Sequence, residues 1–133
     1  MIKEIIKMKL TITPAAQVTL KPYFEAPNTA LLLDYDDGDG YKAEGPVTCT
    51  LNQEFRIIVV RADSDYHEYN KKITTCLGDF YYKDYSKVFM DDEMIIDKKP
   101  DSQLTLKGTH HGPLAPTLNV IDLRNYEEEN KNN

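Results

Sequence analysis

The run EFRIIVV, residues 54–60, constrains the fold more than any other stretch of the chain. Apart from Glu54 and Arg56, every residue in it is β-branched or aromatic. Such side chains lose rotamer freedom in a helix but pack well on a pleated surface, so the run is read as a strand. Similar short runs recur along the chain. ALLLDYD (30–36) puts three leucines before an Asp34–Tyr35–Asp36 alternation and reads as a strand entering a turn. DFYYKDY (79–85) is a further strand candidate. QLTLKG (103–108) alternates, with Leu104 and Leu106 on one face. TLNVIDL (117–123) puts Leu118, Val120 and Asp122 on one face and Asn119, Ile121 and Leu123 on the other, a pattern compatible with burial on both.

Helical signals are fewer. ITPAAQVTL (12–20) starts a helix, with Thr13 as N-cap, Pro14 at the first helical position and good helix formers after it. Pro22 is expected to end it, because the residue before a proline avoids helical dihedrals. YSKVFMDDEMII (85–96) has room for one or two helical turns. Short strands therefore dominate, and the expected class is a β-rich α+β fold with an N-terminal helix and one short internal helix.

The chain of 133 residues is the size of one domain with a real core. Residues 1–124 are assigned to that domain, and NYEEENKNN, residues 125–133, to a polar, disordered tail. The net charge is −6 and the pI is about 5.0. An acidic chain without a lysine stripe disfavours nucleic acid and anionic membranes as partners. No apolar run approaches the roughly 18 residues a transmembrane helix needs. The opening MIKEIIKMKL lacks the apolar core of a secretory signal, so a cytoplasmic location is expected. In a reducing cytosol Cys49 and Cys76 are expected to be free thiols, and two cysteines do not complete a four-ligand structural zinc site.

The most conspicuous polar stretch is DYDDGDG, residues 34–40. It fails as an EF-hand loop in either register. Starting at Asp34 puts Gly38 and Gly45 where ligands belong, and starting at Tyr35 loses the first ligand and ends on Pro46. An acid–base pair would need burial or close pairing to separate two carboxyl pKa values. The reading adopted is a strand end followed by a reversal at Gly38 and Gly40. Divalent-cation binding by Asp34, Asp36, Asp37 and Asp39 stays open as an alternative. No nucleophile elbow, phosphate-binding loop or zinc-protease helix occurs, and Ser86 has no evident base, so an enzyme is not expected. Cys76, in ITTCLG, is read as structural and His67 as a surface residue. Tyr81, Tyr82, Tyr85 and Phe89 are read as packing residues.

The order of these pieces is similar to that of the iron–sulfur cluster biosynthesis domain, the HesB-like or A-type carrier family. KLTITPAAQVTL resembles the family's opening strand and helix. LLLDYDDGDG, followed by CTLNQEFRIIVV, resembles its strand, glycine-rich loop, cysteine and strand. YYKDYSKVFMDDEMIIDKK (81–99) resembles its serine-containing turn, with Met90–Asp91 and Ile96–Asp97 as the aliphatic–aspartate pairs. LTLKGTHHGPLAPTLNVID resembles its closing strand and loop. The resemblance covers roughly residues 9–123. It implies a HesB-like fold of two small mixed sheets. It also implies iron or an iron–sulfur cluster as cofactor, client or assembly proteins of iron–sulfur biogenesis as partners, and a homodimer as one way to complete a ligand set.

On that resemblance Cys49 takes the place of the family's first cysteine ligand. The C-terminal Cys-Gly-Cys of typical members has no counterpart here. A mixed metal site of the Cys49 thiolate, His110 or His111, and Asp36 is chemically sound for iron or zinc. The bland readings stand beside it: a buried apolar Cys49, and two histidines in an exposed loop. The function implied is transient iron or cluster binding or transfer, or assistance to such a partner. The alternative is a metal-free interaction module on the same fold.

Overall fold

The computed structural model describes residues 8–35 and 54–124. The expectations for Asp36, Asp37, Asp39, Gly38, Gly40, Cys49 and the tail 125–133 lie outside the described residues.

Strand β1 (Lys9–Ile12) leads into helix α1 (Pro14–Glu25), followed by β2 (Thr29–Tyr35), β3 (Phe55–Arg61), β4 (Lys71–Thr74) and β5 (Asp79–Tyr82). A 3₁₀ helix (Asp84–Phe89) then precedes β6 (Glu93–Lys98), β7 (Leu104–Gly108), β8 (Gly112–Ala115) and β9 (Asn119–Asp122). The strands form two mixed sheets, ordered β1-β6-β7-β8 and β4-β5-β2-β3-β9. This is the β-rich architecture with an N-terminal helix and one short internal helix expected from the sequence.

The continuous apolar runs of β2 and β3 follow from their central place in the larger sheet. Leu31 and Leu33 on β2, with Phe55, Ile57 and Val59 on β3, face the smaller sheet and meet Leu10, Met94, Ile96 and Leu106. The alternate residues, Ala30, Leu32, Ile58 and Val60, pack on the outer face under Tyr69 and Leu123. A strand covered on both faces cannot alternate apolar with polar, which is why EFRIIVV reads so plainly.

The N-terminus of α1 is built as expected. The Thr13 side chain accepts the Ala16 N–H at 3.3 Å, and its hydroxyl donates to Asp97 Oδ1 at 2.8 Å, which ties the cap to β6. The expected stop at Pro22 is wrong: the helix runs on to Glu25. Proline removes the bond that would have reached the Val18 carbonyl. Val18 is 72% exposed, so that carbonyl lies on the solvent side of the helix, where water can replace the missing donor. Nor is β9 buried on both faces: Asn119 and Asp122 are exposed and Val120 and Ile121 half-buried. Among the described residues it is an edge strand paired with β3 alone, and of this stretch only the flanking Leu118 and Leu123 are buried. No described helix is long and apolar enough to cross a membrane.

Candidate functional site

β2 and β3 are antiparallel and bracket residues 36–53, the stretch that contains Cys49. The last described pairs of that hairpin are Asp34 opposite Arg56 and Tyr35 opposite Phe55. Asp34 is 1% exposed. Arg56 Nε donates to its Oδ2 at 2.8 Å, and the Tyr69 hydroxyl donates to its Oδ1 at 2.7 Å. Burial pushes the Asp34 carboxyl above the usual carboxylate range, against the downward pull of Tyr69 and Arg56. Beside them the buried Lys83 holds its Nζ 3.8 Å from Glu68 Oε1, over the rings of Tyr69 and Tyr85. Asp34 therefore leaves the set of aspartates considered for cation binding. Its position on the outer face of the sheet commits both oxygens to an internal network.

A second buried carboxylate, Asp91, organises the turn between β7 and β8. Its Oδ2 accepts the backbone N–H groups of His110 at 2.7 Å and His111 at 2.8 Å. Its Oδ1 accepts the Asp92 N–H at 2.8 Å and lies 3.0 Å from His110 Nδ1. Gly108 lies against the same carboxylate: a Cβ there would fall 2.5 Å from Asp91 Cβ and collide with its Oδ2. Burial opposes the charge on Asp91, but the His111 N–H and the contacts from His110 outweigh it and hold the carboxyl well below the usual range. In return, the hydrogen bond and negative charge of Asp91 raise the His110 imidazole. The adjacent histidines thus sit in an exposed turn, as the bland reading had it. Their backbone is spoken for, and one ring nitrogen of His110 is as well.

These two centres belong to one end of the molecule. The Tyr35 ring stacks on Phe89 with centroids 4.1 Å apart and planes 7° from parallel, and it meets Phe55 edge-on at 5.0 Å. Phe89 is separated from Asp91 only by the buried Met90. The root of residues 36–53, the 3₁₀ helix and the Asp91–His110–His111 turn are therefore mechanically joined. Asp91 was missed as a site residue in the sequence. Its partners are backbone N–H groups 19 and 20 residues away, which leave no mark on residue type.

Cys76 is elsewhere. β5 runs parallel to β2 with Leu31 opposite Phe80, so the β4–β5 turn lies beyond the start of β2, at the other end of the sheet from Tyr35. Thr75 Oγ1 closes this turn on the Gly78 carbonyl at 2.7 Å and accepts the Leu77 and Gly78 N–H groups. Leu77 packs against the core and Cys76 is left exposed, which corrects its reading as a structural residue. His67 is a surface residue paired with Asp65 at 2.7 Å, as expected. Tyr82 is buried, but Tyr85 and Phe89 are exposed and so are not simple packing residues. Among the described residues, no three His, Cys, Asp or Glu side chains converge to hold a metal ion. The described donors of this end, two imidazoles and no thiolate, do not by themselves fit an iron–sulfur cluster.

The profile of the family described as Iron-sulphur cluster biosynthesis matches residues 8–122. A solved protein from Lactobacillus salivarius, assigned to Fe-S biosynthesis and described as having a novel fold, shares 44% identity and a TM-score of 0.79. That match covers 88% of this chain and 99% of the other. A second solved protein, from Lactobacillus acidophilus and also assigned to Fe-S biosynthesis, shares the fold at 22% identity and a TM-score of 0.67. It covers 94% of this chain and 98% of the other. No curated protein matches the chain.

Proposed function

The chain belongs to the iron–sulfur cluster biosynthesis family, and on that premise we propose that it handles iron or an iron–sulfur cluster as transient cargo, with the Cys49 thiolate as its principal ligand. Family membership supports a role in iron–sulfur cluster biogenesis. The observation that supports the finer reading is the position of Cys76. It is exposed in the β4–β5 turn, at the opposite end of the sheet from Tyr35 and Phe55, the residues that flank the segment containing Cys49. The sequence has no third cysteine.

A cluster is commonly held by four thiolate or imidazole ligands. A chain that offers Cys49 as its one thiolate ligand must borrow the rest from a second copy or from a client or assembly protein. A site completed only by a partner suits hand-over better than storage. His111 and the outer nitrogen of His110 are the weaker candidate donors, and Asp36 is a hard one. The reading assigns no catalytic chemistry to the chain, and its setting is cytoplasmic.

Anaerobic reconstitution with ferrous iron and sulfide tests it. The expected product is coloured, with charge-transfer absorption that is lost in Cys49→Ser and kept in Cys76→Ser. A colourless wild-type product, or colour that survives Cys49→Ser, overturns the reading.

The second reading is a metal-free interaction module. It is favoured by the commitment of one His110 ring nitrogen to Asp91. Elemental analysis of protein purified without chelator separates the two: iron at a stoichiometric level supports the first, and its absence from folded protein supports the second.

A further inference from the structure

Among the described residues, four large hydrophobic side chains are exposed: Val18, Tyr85, Val88 and Phe89. Three of them fall in the single 3₁₀ helix Asp84–Phe89. Such a helix is short and poorly bonded on its own, yet this one is firmly mounted. The buried Ser86 donates its hydroxyl to the Lys83 carbonyl at 2.7 Å, and the Met90 N–H closes on the Lys87 carbonyl at 3.0 Å. Phe89 is held against Tyr35 by the ring stack already described. Val88, 78% exposed, contributes almost nothing to the interior. A mount held by these bonds that displays Val88 and the outer edge of Phe89 to water is a small apolar patch open to a cover.

The charges around it are mainly negative. Asp84, Asp92 and Glu93 are exposed on its flanks, and Glu68 stands near Tyr85 through Lys83. Lys87 is a cation within the patch, Lys9 on β1 lies beside Glu93, and His110 lies behind the patch on Asp91. A second copy of this chain would bring the same acidic rim to this face, so charge favours a basic partner there over another copy. We propose that this face docks a different protein, through a segment in which aliphatic or aromatic side chains stand among lysines and arginines. The apolar side chains would cover Val88 and the exposed edge of Phe89, and the basic ones would meet Asp84, Asp92 and Glu93. A patch of one short helix buries far less than a standard stable interface, so the complex is transient. Charge steers its approach and sets its salt dependence. The inference deepens the hand-over reading and rests on it for its purpose, because the patch adjoins the root of the segment that carries Cys49.

The test is a nuclear magnetic resonance titration of the full chain with two probes: an amphipathic leucine–lysine peptide and its leucine–glutamate counterpart. The leucine–lysine peptide is expected to shift the amides of residues 84–93 and to bind less tightly as salt rises. Val88→Ser should weaken it about tenfold, the worth of one buried valine, and Val18→Ser, an exposed site outside the patch, should leave it unchanged. No binding, equal binding of the leucine–glutamate peptide, or indifference to Val88→Ser overturns the proposal. So does Val88-dependent self-association in sedimentation, which makes a second copy the occupant, or Val88-dependent binding to phosphatidylcholine vesicles, which makes it a lipid face. None of these readouts involves iron, so failure of docking and failure of the Cys49 reconstitution are told apart.

Discussion

Arg56→Met tests the electrostatics at the base of the β2–β3 hairpin. It removes the cation 2.8 Å from Asp34 Oδ2 while keeping an apolar stem of similar length. Asp34, 1% exposed, then holds a desolvated carboxylate with only the Tyr69 hydroxyl as its recorded donor. Breaking a buried pair from one side costs about 3–5 kcal/mol. Protonation of Asp34 limits the loss. Neutralising an aspartate at pH 7 against a reference near 3.9 takes about three pH units at ~1.4 kcal/mol each, or roughly 4 kcal/mol. At pH 5 the same limit is only about 1.5 kcal/mol.

The sign follows from burial, which raises the folded-state pKa of Asp34. In the variant the folded chain binds more protons than the unfolded one above about pH 4, so lowering the pH restores stability. Replacing the whole polar set, Asp34→Leu with Arg56→Met and Tyr69→Phe, leaves no orphan among these three groups and should cost less than the single change at pH 7. Urea unfolding followed by circular dichroism measures all three proteins, and tyrosine emission serves as a second probe because the chain has no tryptophan. A single variant no weaker than the triple one at pH 7, or equally weak at pH 5 and pH 7, would refute the argument.

Two further outcomes concern the Asp91 turn. Gly108→Ala forces a Cβ onto the Asp91 side chain, and a clash with a packed, bonded group should cost about 1–3 kcal/mol; a thermal melt matching wild type would show that the turn yields freely. Asp91 is held below its usual range and His110 above it, so the Asp91 contribution is complete above about pH 4 and lost on further acidification, whereas the His110 contribution is complete below about pH 6.5 and lost as the pH rises. Urea midpoints measured against pH should therefore fall at both ends in wild type, with a smaller acid fall in Asp91→Asn and a smaller alkaline fall in His110→Ala; identical profiles would remove Asp91 as the organiser of the turn.

The parts of the fold that were legible in the sequence are those where burial dictates residue type. β2 and β3 announce themselves because both faces are covered, and Thr13–Pro14 marks the helix start because an N-cap needs a short oxygen side chain. β4 and β8 have no such signature. Lys71–Thr74 buries only Ile73, and Gly112–Ala115 is a strand because β7 supplies partners for its backbone. Pro22 misled because the carbonyl it orphans faces solvent, where losing a helical donor costs little. The candidate site was half legible. The histidine pair could be seen, but the carboxylate that arranges it could not, since Asp91 acts on main-chain N–H groups that any residue would offer. Cys76 was misjudged because its aliphatic neighbours suggested burial, whereas the closure of the Thr75–Gly78 turn sends Leu77 inward and the thiol out.

The parallel pairing of β1 with β6 sets a timetable for the nascent chain. Residues 9–12 find their partners only at residues 93–96, and β3 is flanked on one side by residues 119–122. Neither sheet can close until residues 93–96 and 119–122 have left the ribosome, so assembly must wait for them. Until then the leucines of β2 and the isoleucines of β3 stand uncovered. A shock that slows release would expose this protein to aggregation well before it touches its folded stability.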